Sequence, residues 1–306
     1  MSASAGVAEA EDVRAEPAPD RLALTAFAGA VLIGGTNFVA VRYSNRELDP
    51  LWGAGLRFGG AAIAFGVLCA ALRLPFPRGR LLGLVVIYGL LAFGAAYGFL
   101  YWAMQEVPAG IAAVVLAVGP LLVLLLAVAH RMERFRWRAL VGAAIALGGS
   151  ILIFFQPGSV DFGWGSLLLL GLAALTASES VVVSKRVGRQ HPLVMNFVGM
   201  TAGAAALLVA SAVAGETFAL PSEGKTQVAV VYLVAATVGL FSLVLIVVQR
   251  WTASATSYVF VLMPIVAVAL GALIADERIT LTTLVGGAIV CAGVYLGALA
   301  RRGSVL

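Results

Sequence analysis

The stretch PLLVLLLAVAHRMERFRWRALVGAAI occupies residues 120–145, and PIVAVALGALIADERITLTTLVGGAI occupies residues 264–289. A shift of 144 residues (264 − 120) aligns their prolines, their Glu-Arg pairs, and LVGAAI with LVGGAI. A chain rich in Leu, Ala and Val produces chance matches among those residues, but not a matched proline and a matched charge pair. The sequence therefore predicts an internal duplication.

Composition places the duplicated units in a membrane. Of the 306 residues, 61% are hydrophobic and 11% are charged, and the mean hydropathy is +1.02. A spanning helix needs about 20 mostly apolar residues, which this chain supplies many times over. The two cysteines, Cys69 and Cys291, lie in separate apolar segments without metal-ligand spacing, so we expect neither a metal nor a cofactor.

The apolar runs predict an all-α membrane protein with ten transmembrane helices in two five-helix repeats. Residues 1–21, rich in Ala, Glu, Asp and Pro, are expected to form a disordered cytoplasmic tail, and the repeats are expected over 22–155 and 164–300. The predicted spans are 22–41, 51–72, 81–104, 107–129, 136–155, 164–185, 192–214, 226–248, 252–275 and 280–300.

Charge distribution predicts the orientation. With the N-terminus in the cytoplasm, 15 of the 20 Lys and Arg residues fall on the cytoplasmic side and 4 on the opposite side, leaving Arg57 within a span. That asymmetry favours cytoplasmic N- and C-termini. Because five spans is an odd number, the second repeat must be inverted relative to the first, a plan common among secondary transporters.

Several motifs also resemble a known family. AMQEVPAGIAAVVLAVGPLLVLLLAV (103–128), Glu133 and LVGAAIALGGSIL (140–152) resemble one copy of the EamA-type unit of the drug/metabolite transporter superfamily. GGTNFVAVR (34–42) and the Arg57 of LRFGGAA agree with the same pattern. The resemblance covers both halves of the chain.

The resemblance implies a ten-helix, basket-like carrier of the bacterial inner membrane with a central cavity. Its small-molecule substrates would be amino acids, related metabolites or drug-like compounds, often moved outward. Import or facilitated diffusion, and a non-transporting membrane scaffold, remain as alternatives, and proton coupling and oligomeric state stay open. One departure is that Glu179 and Ser180 stand where the family usually has a large apolar or aromatic residue.

Two ionisable residues within spans require an explanation. Arg57 can anchor its helix by reaching the membrane surface, or it can bind a substrate carboxylate. Glu179 shares a helical face with Thr176 and Ser180, and either anchors at the interface or lines the cavity to bind a substrate amine or a proton. On the predicted topology Arg57 and Glu179 lie at opposite depths, so we expect no ion pair between them.

Other polar residues are weaker candidates for the cavity. Tyr97, Tyr101 and Gln105 recur every four residues on one helical face, where they either meet a substrate or bond across helices. Asn37 and Asn196 each place an amide in an apolar span, again for substrate contact or for interhelical bonding.

Two prolines predict breaks in the helices. Pro120 and Pro264 each remove one backbone hydrogen bond, so we expect a hinge or kink at both, with Tyr258 close to the second. His130 is expected to be solvated in a loop. The sequence shows no HExxH or GxSxG motif, and GKT at 224–226 lacks the preceding P-loop glycine. We therefore expect no enzyme and no nucleic-acid partner.

Overall fold

The structure is a computed structural model that describes residues 19–44, 47–107, 109–154, 163–188, 190–275 and 281–299. Within these ranges the chain is helical and contains no strand. Of the tail predicted over residues 1–21, residues 1–18 lie outside the described residues, as does the second Glu-Arg pair. The helices are α1 (Arg21–Ser44), α2 (Pro50–Ala71), α3 (Arg80–Ala103), α4 (Ala109–Leu116), α5 (Gly119–Ala129), α6 (Trp137–Phe154), α7 (Trp164–Val187), α8 (Pro192–Ala214), α9 (Gly224–Arg250), α10 (Ala253–Thr256), α11 (Tyr258–Ala275) and α12 (Leu281–Leu299).

Two of these helices contain π-helical segments, Leu90–Ala95 within α3 and Tyr295–Leu299 at the end of α12. Among the described helices, six are long and apolar enough to cross a membrane, namely α2, α3, α7, α8, α9 and α12. Shorter apolar helices cover Val114–Ala129, Trp137–Ile153 and Ala253–Met263.

The surface of the bundle is apolar where a soluble protein would be polar. Ile63, Val213 and Val228 expose 71%, 84% and 70% of their surface. Each of the six apolar helices exposes large apolar side chains, and extensive exposed apolar surface marks contact with lipid or with another protein. Together with the apolar helices, they identify a multi-pass membrane protein.

Two predicted spans, 107–129 and 252–275, are each divided in the structure. A two-residue turn separates α4 from α5, and Pro120 follows at the start of α5. Proline lacks a backbone N–H and its ring clashes with the preceding helical turn, so the break just before Pro120 has a local cause. The second division lies at Ser257, between α10 and α11, whereas Pro264 lies inside α11.

The packing partners of the helices follow a twofold pattern. α2 packs on α8, and α6 packs on α12. α1 packs on α9 and α11, and correspondingly α7 packs on α3 and α5. Replacing each helix by its counterpart in the other half gives the same set of packing pairs. The counterparts are α1 and α7, α2 and α8, α3 and α9, α5 and α11, and α6 and α12.

Glycines show the same symmetry where α6 meets α12. A Cβ atom added at Gly142 would lie 2.7 Å from the Gly293 carbonyl oxygen, and one added at Gly286 would lie 2.9 Å from the Gly149 oxygen. The 144-residue shift maps Gly142 onto Gly286 and Gly149 onto Gly293, so the two contacts are equivalent. Small residues let membrane helices pack backbone to backbone in this way.

Polar contacts between distant segments lie at the two ends of the bundle. Helix α1 runs from one end to the other, and its 24 residues span about 36 Å. At the Glu47 end, the Glu47 carboxylate accepts hydrogen bonds of 2.5 Å from both the backbone N and the hydroxyl of Ser222. These bonds lower the pKa of Glu47 to about 2. At the Asp20 end, Asp20 Oδ2 lies 2.6 Å from Arg250 Nη1.

Candidate functional site

A cavity of about 230 Å³ lies between the two halves of the bundle. The wall is contributed by helices α1, α2, α3, α4 and α5 of the first half and by α7, α9 and α11 of the second half. No described residue of α6, α8 or α12 is among the lining residues. Most of the wall is apolar. The lining residues with polar side chains are Asn37, Arg57, Tyr97, Tyr101, Ser178 and Ser257.

A larger groove of about 710 Å³ has a different character. It runs over α3 and α8, with Phe99, Trp102 and Leu207 in its wall, and its described lining residues include none with a charged side chain. Trp102 and Val213 at its edge are exposed on the outside of the bundle. This groove therefore has the character of a membrane-facing surface, and the smaller charged cavity is the candidate site.

Arg57 is the charged residue of the described cavity wall. It is only 3% exposed, so its side chain lies within the bundle and not at the membrane surface. Its Nε donates a hydrogen bond of 2.7 Å to Thr237 Oγ1 on α9. Its Cζ lies 5.3 Å from the Phe58 ring centroid and 5.7 Å from that of Tyr97, within the range of cation–π attraction.

Three other predicted candidates share this cavity. Tyr97 and Tyr101 stand one helical turn apart on α3, with ring centroids 6.0 Å apart, and Tyr97 packs edge-to-face on Phe58. Asn37 reaches the cavity from α1; it is 6% exposed, and its Oδ1 has no hydrogen-bond partner among the described residues. The structure thus brings Asn37, Arg57, Tyr97 and Tyr101 together.

Three predicted candidates lie outside the cavity wall. Gln105 is exposed in the turn after α3, because the helix ends at Ala103 before the four-residue spacing reaches it. Asn196 is buried and accepts a hydrogen bond of 3.4 Å from the Tyr88 hydroxyl, which links α8 to α3. Tyr258 is buried and its hydroxyl donates a 3.3 Å bond to the Ala139 carbonyl, which links α11 to α6.

Glu179 also lies outside the wall and has a partner that the sequence did not reveal. His130, expected to be solvated, places its Nε2 3.1 Å from Glu179 Oε1, while Glu179 Oε2 is buried without a described partner. His130 follows α5 and Glu179 lies on α7, so helical spacing along α7 could not show this contact. Arg57 and Glu179 do not pair with each other.

The face of α7 that lines the cavity differs from the predicted one. The hydroxyls of Thr176 and Ser180 donate to carbonyls of their own helix, at 2.7 Å to Leu172 and 2.7 Å to Ala177. The wall is instead formed by small residues of the face that includes Ala177 and Ser178. The cavity is therefore lined by the face of α7 next to the one that carries Thr176 and Ser180.

Thr237 is a functional candidate that the sequence pattern did not indicate. It is fully buried in the middle of α9, and its hydroxyl fixes the Arg57 guanidinium from the other half of the chain. Its sequence signal is weak, because the long apolar run of α9 carries a second small hydroxyl residue, Ser242, five positions later. Within the described residues, no group of three or more His, Cys, Asp and Glu side chains comes together as a metal site would require.

Comparison with known proteins identifies the family of this fold. A family model described as "EamA-like transporter family" matches residues 21–155 and again residues 163–298. This double match confirms the resemblance seen in the sequence.

Individual relatives agree with the family match. The chain is 31% identical over 258 residues to the "Uncharacterized inner membrane transporter YedA" of Escherichia coli K12, with 81% of each chain covered. It is 27% identical to the "Probable amino-acid metabolite efflux pump" of E. coli K12, covering 89% of this chain and 93% of the relative. It is also 27% identical to the "Probable terminal-alkyne amino-acid exporter" of Streptantibioticus cattleyicolor, covering 87% and 90%.

A solved structure shares the fold. Its chain, described as "Crystal structure of protein", superposes with a TM-score of 0.77 at 19% identity, covering 92% of this chain and 99% of that one.

Proposed function

The chain belongs to the EamA-like transporter family, and we propose that this membrane transporter exports amino acids or related, drug-like compounds by alternating access. The observation that carries the proposal is the position of Arg57. A guanidinium that is 3% exposed faces a cavity built from both halves of the bundle, where binding energy and movement of the halves can be coupled. The names of two relatives, an efflux pump and an exporter, support the outward direction.

The proposed architecture has ten spans in two inverted repeats. In this count α4 and α5 together form one span, and α10 and α11 together form another. On this count the Asp20 end faces the cytoplasm with both chain termini, and the Glu47 end faces outward. The basic loop residues Arg78 and Arg131 lie with the Asp20 end, as the positive-inside rule requires.

The proposed cycle rocks the two halves about the cavity. The twofold pattern of helix pairs supports it, because two equivalent halves can adopt each other's arrangement and expose the cavity to either side in turn. Pro120, next to the turn between α4 and α5, is proposed as a hinge. In this account the protein carries out transport without catalysing a reaction.

Counterflow in liposomes tests the function. Purified protein would be reconstituted with a panel of amino acids, N-acylated amino acids, aryl carboxylates, nucleosides and cationic drugs, and exchange of labelled compound would be measured. Saturable exchange of at least one class supports transport. If the folded protein exchanges no compound of the panel, the scaffold alternative is favoured. If cells that contain the protein only take up a compound along its inward gradient, an importer is favoured.

A further inference from the structure

The charges of the cavity are unbalanced. Among its described lining residues, Arg57 carries a positive charge and no Asp or Glu is present. Glu179 lies one residue beyond the lining residue Ser178, but its carboxylate contacts His130 and does not line the cavity. A buried charge without a counter-ion is unfavourable, so an occupant that supplies an anionic group would be strongly favoured.

The Arg57 side chain is held in a pose that leaves its binding edge available. Thr237 accepts the Nε hydrogen, and the rings of Phe58 and Tyr97 flank the guanidinium. Neither terminal nitrogen has a hydrogen-bond partner among the described residues. These two nitrogens form the planar fork that binds a carboxylate through two parallel hydrogen bonds.

A second unmet polar group lies in the same wall. Asn37 belongs to α1, and its Oδ1 lacks a described partner although the residue is more than nine-tenths buried. An amide can satisfy one further polar atom of a ligand, whichever way it is turned. No carboxylate accompanies this amide in the described cavity wall. An ammonium group of a ligand would therefore find only a neutral hydrogen-bond acceptor there, and no opposite charge.

The rest of the cavity wall suits an apolar group. Tyr101, Leu240 and Phe241 present rings and an aliphatic side chain, and α7 contributes the small residues Ala174 and Ala177 to the same wall. Cavities of this type bind the apolar body of a ligand and fix its orientation with a few polar groups.

We propose that the cavity selects amphipathic anions, in which a carboxylate pairs with Arg57 and an apolar or aromatic tail packs against Tyr101 and Phe241. The proposal rests on the proposed transport function and narrows its substrate class. A free ammonium group is unnecessary for binding and disfavoured, so aryl carboxylates and N-acylated amino acids bind better than free amino acids, and cationic amines bind worst. Arg57 is the residue that sets this charge preference.

Three probes with the same ring test the charge preference. They are 3-phenylpropanoate, phenylalanine and phenethylamine, which carry a carboxylate, both charges and an ammonium group respectively. Binding to purified protein in nanodiscs and counterflow in liposomes held at zero membrane potential would be measured for each. We expect 3-phenylpropanoate to bind at least about tenfold more tightly than phenethylamine, with phenylalanine between them. Phenylalanine keeps the carboxylate that pairs with Arg57 but adds an ammonium group without an anionic partner, whereas phenethylamine lacks the carboxylate altogether.

Variants assign the preference to Arg57. Arg57→Gln should remove the preference among the three probes, whereas Arg57→Lys should keep its order with a smaller ratio because the two-pronged contact is lost. Thr237→Val, which keeps the charge but frees the side chain, should weaken binding of the carboxylate several-fold without changing the order. If Arg57→Gln fails to fold, the lysine variant and the wild-type series still decide the question.

The outcomes separate the two proposals. Binding of the carboxylate without counterflow of any probe would sustain the charge preference and overturn transport. Counterflow in which phenethylamine matches or exceeds 3-phenylpropanoate would sustain transport and overturn the charge preference. An unchanged preference in Arg57→Gln, or no binding of any probe at millimolar concentration, would likewise overturn it.

Discussion

The Ser254 hydroxyl donates a hydrogen bond of 2.6 Å to Glu133 Oε2, which joins the two halves of the chain at the Asp20 end. Glu133 Oε1 also accepts a 2.6 Å bond from the backbone N of Ala253 at the start of α10. The Glu133 side chain is only 5% exposed. A buried carboxylate in the first half therefore holds the first turn of a short helix in the second half.

Glu133→Gln should lower the stability of the protein. Replacing the carboxylate removes charge-assisted hydrogen bonds to α10, each worth about 1.5–3 kcal/mol. Thermal unfolding in detergent should show a reduced Tm for this variant. Glu223→Gln is the matched control, because the Glu223 side chain makes no capping bond to α9. Equal Tm values for the two variants would contradict the role of Glu133.

Gly149→Ala should destabilise the contact between α6 and α12. The added Cβ would lie 2.7 Å from the Gly286 carbonyl oxygen, so backbone must move, at about 1–3 kcal/mol. Gly148→Ala is the control on the same helix, since nothing lies within 4 Å of its Cβ position and alanine favours the helix. We expect lower Tm and lower yield for Gly149→Ala alone. A Gly149→Ala protein as stable as Gly148→Ala would argue against the close packing.

Glu179→Gln should change the rate of counterflow while the protein still folds. Glu179 Oε1 contacts the imidazole of His130, and this contact joins α7 of the second half to the end of α5 in the first half. Because the proposed cycle moves the two halves relative to each other, loss of the contact should change the rate, and His130→Gln should produce a comparable change. Unchanged counterflow in both variants would assign the pair a purely structural role.

Acid should weaken the Glu47 end before it unfolds the bundle. Hydrogen bonds from Ser222 lower the pKa of Glu47 from 4.5 to about 2, so the folded state favours the ionised form. The resulting stabilisation is complete above pH 4.5 and is lost as the pH falls towards 2. Glu47→Gln should show a smaller fall in Tm between these pH values than wild type or Glu223→Gln. Parallel curves for all three proteins would contradict this assignment.

Periodicity and composition predicted the general architecture because they depend on local patterns. Apolar runs indicated a helical membrane protein, and the paired LVGAAI and LVGGAI segments correspond to the glycines that meet between α6 and α12. The turn before Pro120 divides a span that hydropathy alone joined. Hydropathy averages over a window of residues and does not register such a local interruption.

The cavity was predictable only in part, because its contacts join distant segments. Four-residue spacing placed Tyr97 and Tyr101 on one face, but it extended that face to Gln105, beyond the end of the helix. The bond from Arg57 to Thr237 spans 180 residues and the contact of Glu179 with His130 joins two helices. Spacing along one helix carries no information on either contact.

Side-specific labelling of the cavity tests alternating access most directly. Ala177→Cys, in the cavity wall, would be made in a background in which Cys69 and Cys291 are replaced by alanine, and treated with a membrane-impermeant thiol reagent from either side. Arg78→Cys and Lys225→Cys serve as controls, expected to react only from the cytoplasm and only from outside. We expect Ala177→Cys to react from both sides and 3-phenylpropanoate to slow both reactions. Reaction from a single side, in protein that carries out counterflow, would contradict it.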